Sequence, residues 1–169
     1  STLIPYPTPC RAGWNTGDVV VAFGCADAVS GTATCPDPVT VTAEGADQQV
    51  TATAVDHAGN RVTATATVNI DRTAPTVTAT TTVATPGAYA AAGSGASPMA
   101  VWHREPVTIH YTCTDALSGI ADCPADTTVV ADGGDQTVTR TVADRAGNTT
   151  TVTTTVNVDR TAPVVTAVR

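Results

Sequence analysis

Hydrophobic and polar residues alternate strictly in residues 61–70, where apolar side chains occupy the even positions and threonine or asparagine most of the odd ones. A period of two predicts a β-strand whose apolar face is buried and whose threonines meet water. The same alternation predicts strands at residues 19–25 and 49–56. No stretch of the chain shows the spacing of an amphipathic helix.

The predicted strands belong to a sequence repeat. Cys25 recurs as Cys113, and residues 14–79 aligned without gaps on residues 102–167 are identical at about 36 of 66 positions. Composition alone does not produce such agreement, so the chain contains two copies of one domain. Both of the shorter strands recur, at 107–113 and 137–144.

The boundary between the copies is marked by Asp-Arg-Thr-Ala-Pro at 71–75, which recurs at 159–163. This boundary predicts a first domain at 1–72, a second domain at 73–160, and a tail or first strand of a following domain at 161–169. A stretch rich in Ala, Gly and Ser at 86–98 is expected to be a flexible loop inserted in the second domain.

The last two strands of each copy are separated by Asp-x-Ala-Gly-Asn, at 56–60 and 144–148. Asp can accept hydrogen bonds from the turn backbone, and Gly and Asn tolerate positive φ, so this motif predicts a tight hairpin turn. Short strands separated by turns, in repeats of this length, are typical of a β-sandwich. The sequence therefore predicts an all-β chain of two tandem antiparallel β-sandwich domains.

Each copy contains a pair of cysteines with the same spacing, Cys25 with Cys35 and Cys113 with Cys123. Two cysteines without partnered histidines do not make a zinc site, so an intradomain disulfide is expected in each copy. Disulfides place the protein outside a reducing cytoplasm. Cys10 has no counterpart in the other copy and is either unpaired or bonded to another chain.

Composition excludes several classes of function. The chain carries 15 acidic and 8 basic residues, a formal charge of −7, and so lacks the basic face that nucleic acids or anionic membranes require. No apolar run is long enough to cross a bilayer. All the basic residues are arginine, which rules out Lys–Asn isopeptide crosslinks in this segment. Threonine forms about a fifth of the chain, as expected if it occupies the solvent-exposed faces of many strands.

The sequence shows no catalytic motif. A hydrolytic triad needs a histidine placed between a nucleophile and an orienting carboxylate. None of the three histidines, His57, His103 and His110, recurs in the other copy. A nucleophile elbow, a zinc motif and a phosphate-binding glycine loop are all missing from the sequence. We expect a protein that is not an enzyme and that requires no cofactor.

Several further residues form a recognisable set: Gly13-Trp14, Cys25-x-Asp27-x-x-Ser30-Gly31, Glu44-Gly45, Asp56-x-Ala-Gly-Asn60 and Asp71-Arg-Thr-Ala-Pro75. This set resembles secreted bacterial Ig-like repeats, which are similar to hyalin-repeat and fibronectin-III-like modules. The resemblance implies two Ig-like domains. It also implies a place in a surface protein, an adhesin or a secreted multidomain protein, where such modules act as spacers or adhesive units.

Calcium is the metal that the repeated turns would suit, because its ligands are oxygens. The candidate ligands are Asp27, Asp56, Asn60 and Asp71 with their counterparts Asp115, Asp144, Asn148 and Asp159. A structural calcium ion could stiffen the domain junction. Asp and Asn are also ordinary turn residues, so capping of turns stays open, as does pairing of Asp71 with Arg72.

We expect a non-catalytic extracellular structural or adhesive module of a bacterial surface or secreted protein. Its partners would be other copies of itself or neighbouring Ig-like domains, and surface glycans or proteins, without nucleic acid or membrane insertion. One alternative is a subunit of a self-assembling extracellular filament, joined by exchange of the strand-like ends at 2–6 and 164–168. A further alternative is an accessory carbohydrate-binding module of a secreted hydrolase. Trp14 and Trp102 would be its ligand platform, unless they pack in the core.

Overall fold

The computed structural model describes residues 4–5, 13–83 and 101–169. All regular secondary structure in these residues is β-strand, and none of them is helical. The predicted all-β class is confirmed, and most strands pair antiparallel. Cys10 and the stretch at 86–98 lie outside the described residues, so the expectations for them stay predictions.

The strands of the described residues are β1 (Ile4–Pro5), β2 (Val19–Val21), β3 (Phe23–Gly24), β4 (Thr32–Thr34), β5 (Val39–Val41), β6 (Gly45–Asp56), β7 (Arg61–Ile70), β8 (Thr76–Val83), β9 (Trp102–His103), β10 (Val107–Thr114), β11 (Ile120–Asp122), β12 (Thr127–Val129), β13 (Gly133–Asp144) and β14 (Thr149–Val158).

The chain divides into two compact units. Unit 1 consists of Ser1–Pro75, Asp115–Ala121 and Ala143–Thr149. Unit 2 consists of Thr76–Thr114, Asp122–Val142 and Thr150–Arg169. The sequence period assigns the two short segments of unit 1 to the second copy. Because these two segments belong to unit 1, their side chains contribute to the candidate site together with a residue of the first copy.

Unit 1 has its longest pairing in the hairpin of β6 and β7, and β4 continues this sheet beyond β6. The predicted strand at 61–70 matches β7, with threonines exposed and the alternate apolar residues more buried. Two small sheets, β1 with β3 and β2 with β5, also belong to unit 1. The buried residues in its core include Val19, Val21, Phe23, Ala52, Val68 and Ile70.

The strand predicted at 49–56 begins earlier, at Gly45, because a bulge lets the pairing continue. Gly45 lies opposite Ile70, and the register has shifted when pairing resumes further along the strand. Asp47 in the bulge has a φ of 52°, and its N–H donates to Asn69 Oδ1 at 2.6 Å. The sequence pattern did not indicate this bulge, because apolar and polar residues do not alternate in residues 45–49.

The strand predicted at 19–25 is interrupted at Ala22, which divides it into β2 and β3. In unit 2 the corresponding strand β10 is continuous and is paired along its whole length with β8. The pairing β10–β12 completes a three-stranded sheet. A second sheet has the strand order β11, β13, β14 and β9. The buried residues in the core of unit 2 include Val107, Ile109, Val129, Val156 and Val158.

Both predicted disulfides are present. Cys25 bonds Cys35 with a Cα–Cα distance of 5.8 Å, and Cys113 bonds Cys123 at 5.9 Å. Each closes a loop with a sequence separation of 10. The two crosslinks therefore constrain loops of equal length in the two copies.

The exposed faces of the long hairpins carry threonine pairs whose hydroxyls bond each other across the strands. The Oγ1–Oγ1 distances are 2.9 Å for Thr51–Thr65 and Thr53–Thr63, and 3.0 Å for Thr139–Thr153 and Thr141–Thr151. Such cross-strand hydroxyl bonds stabilise neighbouring strands on a solvated face.

Candidate metal centre

Three carboxylates meet inside unit 1, and we call Asp71, Asp115 and Asp144 the triple-Asp cluster. One oxygen from each lies within 4.8 Å of the others. Asp71 is 0% exposed and Asp144 is 2% exposed. Buried carboxylates are rare unless they are paired or coordinate a metal ion.

Asp71 follows the last residue of β7 and is held by main-chain donors. Its Oδ1 accepts a hydrogen bond from Thr73 N at 3.0 Å, and its Oδ2 accepts one from Ser118 N, also at 3.0 Å. Asp71 therefore caps a turn, one of the two alternatives left open by the sequence. The other was wrong, because Arg72 forms an ion pair with Asp18 instead.

Asp115 organises the turn that follows β10. Its Oδ1 accepts hydrogen bonds from Gly119 N at 2.7 Å and Leu117 N at 3.2 Å. In the first copy the equivalent Asp27 also accepts from the amide of Ser30, whereas the amide of Ser118 is redirected to Asp71. The second-copy turn thus shares its donors between two carboxylates.

Asp144 closes the hairpin turn between β13 and β14. Its Oδ1 accepts hydrogen bonds from Gly147 N at 2.6 Å and Asn148 N at 2.8 Å. Its Oδ2 accepts from the Asn148 side-chain amide at 2.8 Å. That amide also donates to the main-chain oxygen of Asp71 at 2.9 Å. Asn148 therefore fixes two members of the triple-Asp cluster relative to each other.

The first-copy counterparts Asp27, Asp56 and Asn60 form turns of the same design. Three backbone amides, led by that of Gly31, lower the pKa of Asp27. The Asn60 side-chain amide is the largest cause of the lowered pKa of Asp56, with the charge of Asp27 acting in the opposite direction. Among the described residues no third carboxylate joins this pair within metal-binding distance.

Asp159, the repeat counterpart of Asp71, stays apart from the other candidates. Its Oδ1 accepts a hydrogen bond from Thr161 N at 3.0 Å, which repeats the turn at Asp71. Unlike Asp71 it is exposed to solvent. Of the candidate ligands, the structure thus brings together the carboxylates of Asp71, Asp115 and Asp144, with Asn148 donating from beside them.

The electrostatics of the triple-Asp cluster favour a bound cation. In the part of the chain that the structure describes, none of its members forms an ion pair with a basic side chain. At an effective dielectric constant of about 20, two ionised carboxylates at this separation would repel each other by roughly 3 kcal/mol. The attraction between a divalent cation and each carboxylate would outweigh this repulsion.

No family model matches this chain, and no curated protein matches it. The described residues contain no helix long and apolar enough to cross a membrane. The resemblance to secreted bacterial Ig-like repeats thus stays a prediction, and function has to be inferred from the geometry of the site.

The tryptophans offered as a carbohydrate platform differ in exposure. Trp14 is half-buried, and Trp102 is 39% exposed. The ring of Trp102 lies over Gly134, so that a Cβ atom at that glycine would come within 3.1 Å of its Cη2. This contact indicates packing of Trp102 on the backbone, and carbohydrate binding stays a prediction.

Proposed function

We propose that this chain is a structural module of an extracellular bacterial protein, built from two tandem Ig-like β-sandwich domains and acting as a stalk, spacer or adhesion array. We propose further that the triple-Asp cluster holds a structural Ca²⁺ ion. The observation that carries the proposal is the convergence of three carboxylates, two of them buried, from segments far apart in sequence. The two disulfides support an extracellular location.

The chemistry of the ligands supports calcium over a softer metal. The cluster offers only carboxylate oxygens, which suit hard cations, and the described part of the chain places no imidazole or thiolate among them. Ca²⁺ binds its oxygens at about 2.3–2.6 Å, so two ligands on opposite sides of the ion stand roughly 4.6–5.2 Å apart. Oxygens within 4.8 Å of one another can therefore share one Ca²⁺ ion.

Bound Ca²⁺ would tie together three parts of unit 1. Asp71 follows β7, Asp115 lies in the turn after β10, and Asp144 ends β13. An ion that binds all three carboxylates only when unit 1 is folded stabilises the folded state. Stiffening of this kind suits a protein whose task is to hold a position or bear load.

Thermal unfolding in Ca²⁺ and in EDTA tests the metal proposal. We expect the unfolding midpoint to rise with Ca²⁺ concentration, with a stabilisation of about 2.7 kcal/mol at a concentration one hundred times the Kd. Isothermal titration calorimetry should give one ion per chain. An unchanged midpoint, together with no heat of binding at millimolar Ca²⁺, would contradict the proposal.

A filament subunit is the second candidate function, and the segment Val164–Arg169 favours it. By the repeat this segment corresponds to the first part of β8, which pairs along β10 in unit 2. Val164, Val165 and Val168 are at least 90% exposed, and the segment belongs to no described strand. An apolar segment of this kind can add to a sheet edge of another copy.

Sedimentation velocity and electron microscopy at micromolar concentration test the filament. The variant to compare is a truncation after Pro163, which removes the segment Val164–Arg169 and leaves both copies of the repeat in place. If strand exchange joins separate chains, the full chain forms concentration-dependent oligomers and the truncated chain stays monomeric. A full chain that is monomeric at every concentration leaves the stalk, spacer or adhesive role as the proposal.

A further inference from the structure

A hydrogen-bonded relay of threonine, histidine and aspartate lies on unit 2. Thr82 Oγ1 is 2.7 Å from His110 Nε2, and His110 Nδ1 is 2.6 Å from Asp126 Oδ2. Thr82 is on β8, His110 is on the neighbouring strand β10, and Asp126 comes directly before β12. The three strands are adjacent in one sheet, with β10 in the middle.

The partners of His110 fix the roles of its two ring nitrogens. An ionised carboxylate can only accept hydrogen bonds, so Nδ1 carries the proton donated to Asp126. In the neutral ring Nε2 is then an acceptor, and the hydroxyl of Thr82 donates to it. This is the arrangement of a nucleophile, a general base and an orienting carboxylate.

We propose that Thr82 is a nucleophilic acyl-acceptor site, with His110 as its general base and Asp126 as the residue that positions His110. The class of substrate is an activated ester. This activity goes beyond the structural role proposed above and does not depend on calcium. It requires only one turnover, and its product is an acyl ester on the side chain of Thr82.

The chemical step balances without any further reactant. Thr82 Oγ1 attacks the ester carbonyl carbon while His110 Nε2 takes the hydroxyl proton. The bond from that carbon to the leaving alkoxide or phenoxide then breaks, and His110 returns the proton to the leaving group. An acyl–Thr82 ester and a free alcohol or phenol result. Asp126 stays ionised and stabilises the imidazolium that forms in between.

The surroundings of Thr82 admit a substrate and place a second hydroxyl, that of Thr108, on the neighbouring strand. Thr82 is exposed, and the side chains of His110 and Asp126 are 42% and 54% exposed. Thr108 is the direct cross-strand neighbour of Thr82, and its hydroxyl lies 3.1 Å from that of Thr128. When Thr108 accepts this hydrogen bond from Thr128, its own hydroxyl proton can be donated to an oxyanion that forms at Thr82.

The first copy provides a natural internal comparison. By the repeat, His110 corresponds to Ala22 and Asp126 to Pro38, so the base and the positioning acid are both missing there. Acylation of a threonine through this relay is therefore confined to unit 2. Because the first copy lacks these residues, the relay is not one of the features that the two copies of the repeat share.

Incubation with p-nitrophenyl acetate tests the proposal. We expect release of one equivalent of p-nitrophenolate, an increase in mass of one acetyl group, and an acetylated peptide whose fragments place the group on Thr82. Thr82→Val should abolish the adduct at this peptide, and His110→Ala should slow its formation by about a hundredfold or more. Asp126→Asn should slow it as well, and Asp126→Glu should restore part of the rate.

Thr80→Val is the matched control, because Thr80 lies on the same strand directly opposite His110 and takes no part in the relay. The Thr80→Val variant should be acetylated at Thr82 at the same rate as the unmodified chain. All variants are compared by circular dichroism and thermal unfolding, so that loss of fold is recognised. Acetylation elsewhere than Thr82, or a rate at Thr82 that is unchanged in His110→Ala, would overturn the proposal.

Discussion

The side-chain amide of Asn148 bonds the main-chain oxygen of Asp71 at 2.9 Å, across 77 residues of sequence. Its repeat counterpart Asn60 makes a bond to Asp56 at 2.8 Å within its own turn, as Asn148 does to Asp144. The two asparagines therefore have the same local role, but Asn148 has an additional one. A hydrogen bond between distant segments stabilises the fold itself, since it is lost completely on unfolding.

Asn148→Ala should accordingly be more destabilising than Asn60→Ala. We expect a loss of about 1–3 kcal/mol for Asn148→Ala, because buried acceptors on Asp71 and Asp144 lose their donor. Asn60→Ala should cost about 1 kcal/mol or less, because its turn is more exposed. Urea denaturation of the two variants measures the difference, and equal losses would show that the bond to Asp71 contributes nothing.

Asp71→Asn and Asp159→Asn form a matched pair for the metal centre. Each removes one charge from the same repeated turn, but only Asp71 belongs to the triple-Asp cluster. We expect Asp71→Asn to weaken Ca²⁺ binding at least about tenfold, whereas Asp159→Asn should bind as the unmodified chain does. Calorimetric titration distinguishes them, and equal affinities for the two variants would argue against the assigned ligands.

The turns of the first copy predict a loss of stability in acid. Their hydrogen bonds lower the pKa of Asp27 and of Asp56 from the ordinary value of 3.8. A carboxyl group whose pKa is lower in the folded state stabilises that state above the unfolded-state pKa. This stabilisation is lost as the pH falls through the folded-state pKa.

Asp56→Asn should therefore be less stable than the unmodified chain at about pH 6, and the difference should shrink as the pH falls below about 3.8. Thermal unfolding in EDTA over this range measures the effect without a contribution from metal. A difference in midpoint that stays constant down to about pH 2 would show that ionisation of Asp56 does not contribute.

The two disulfides offer a test of how crosslinks stabilise these domains. Because both close loops of equal length, the chain-entropy model predicts a similar loss of about 3 kcal/mol for Cys25→Ser/Cys35→Ser and for Cys113→Ser/Cys123→Ser. Denaturant unfolding of each double variant gives the two values. A large inequality between them would mean that local packing, rather than loop closure, determines the effect.

Local patterns were sufficient to predict much of the fold. The alternation in 61–70 predicted β7, and the repeated cysteine spacing predicted both disulfides. The bulge at Asp47 was missed, because the alternation fails where a residue is inserted into one strand. The break at Ala22 was missed for the opposite reason, since the alternation continues through it unchanged.

The sites depend on information that a linear pattern does not contain. The sequence supplied Asp71, Asp115 and Asp144 within a longer set of candidates, but only tertiary packing selects these three. The comparison of the two copies could not predict the relay at His110, since His110 has no counterpart in the first copy. The register of β8 against β10 decides that Thr82 meets His110, and no single stretch of sequence encodes that register.

The bonds between paired threonine hydroxyls on the exposed hairpin faces depend little on the pH or the salt concentration of the solvent. A hydroxyl neither gains nor loses a proton over any pH at which the chain stays intact, and mobile ions do not screen a bond between two neutral groups. A face that relied on lysine and glutamate would instead weaken in brine and change charge in acid. These hairpins can therefore keep the same cross-strand bonds in fresh water and in sea water.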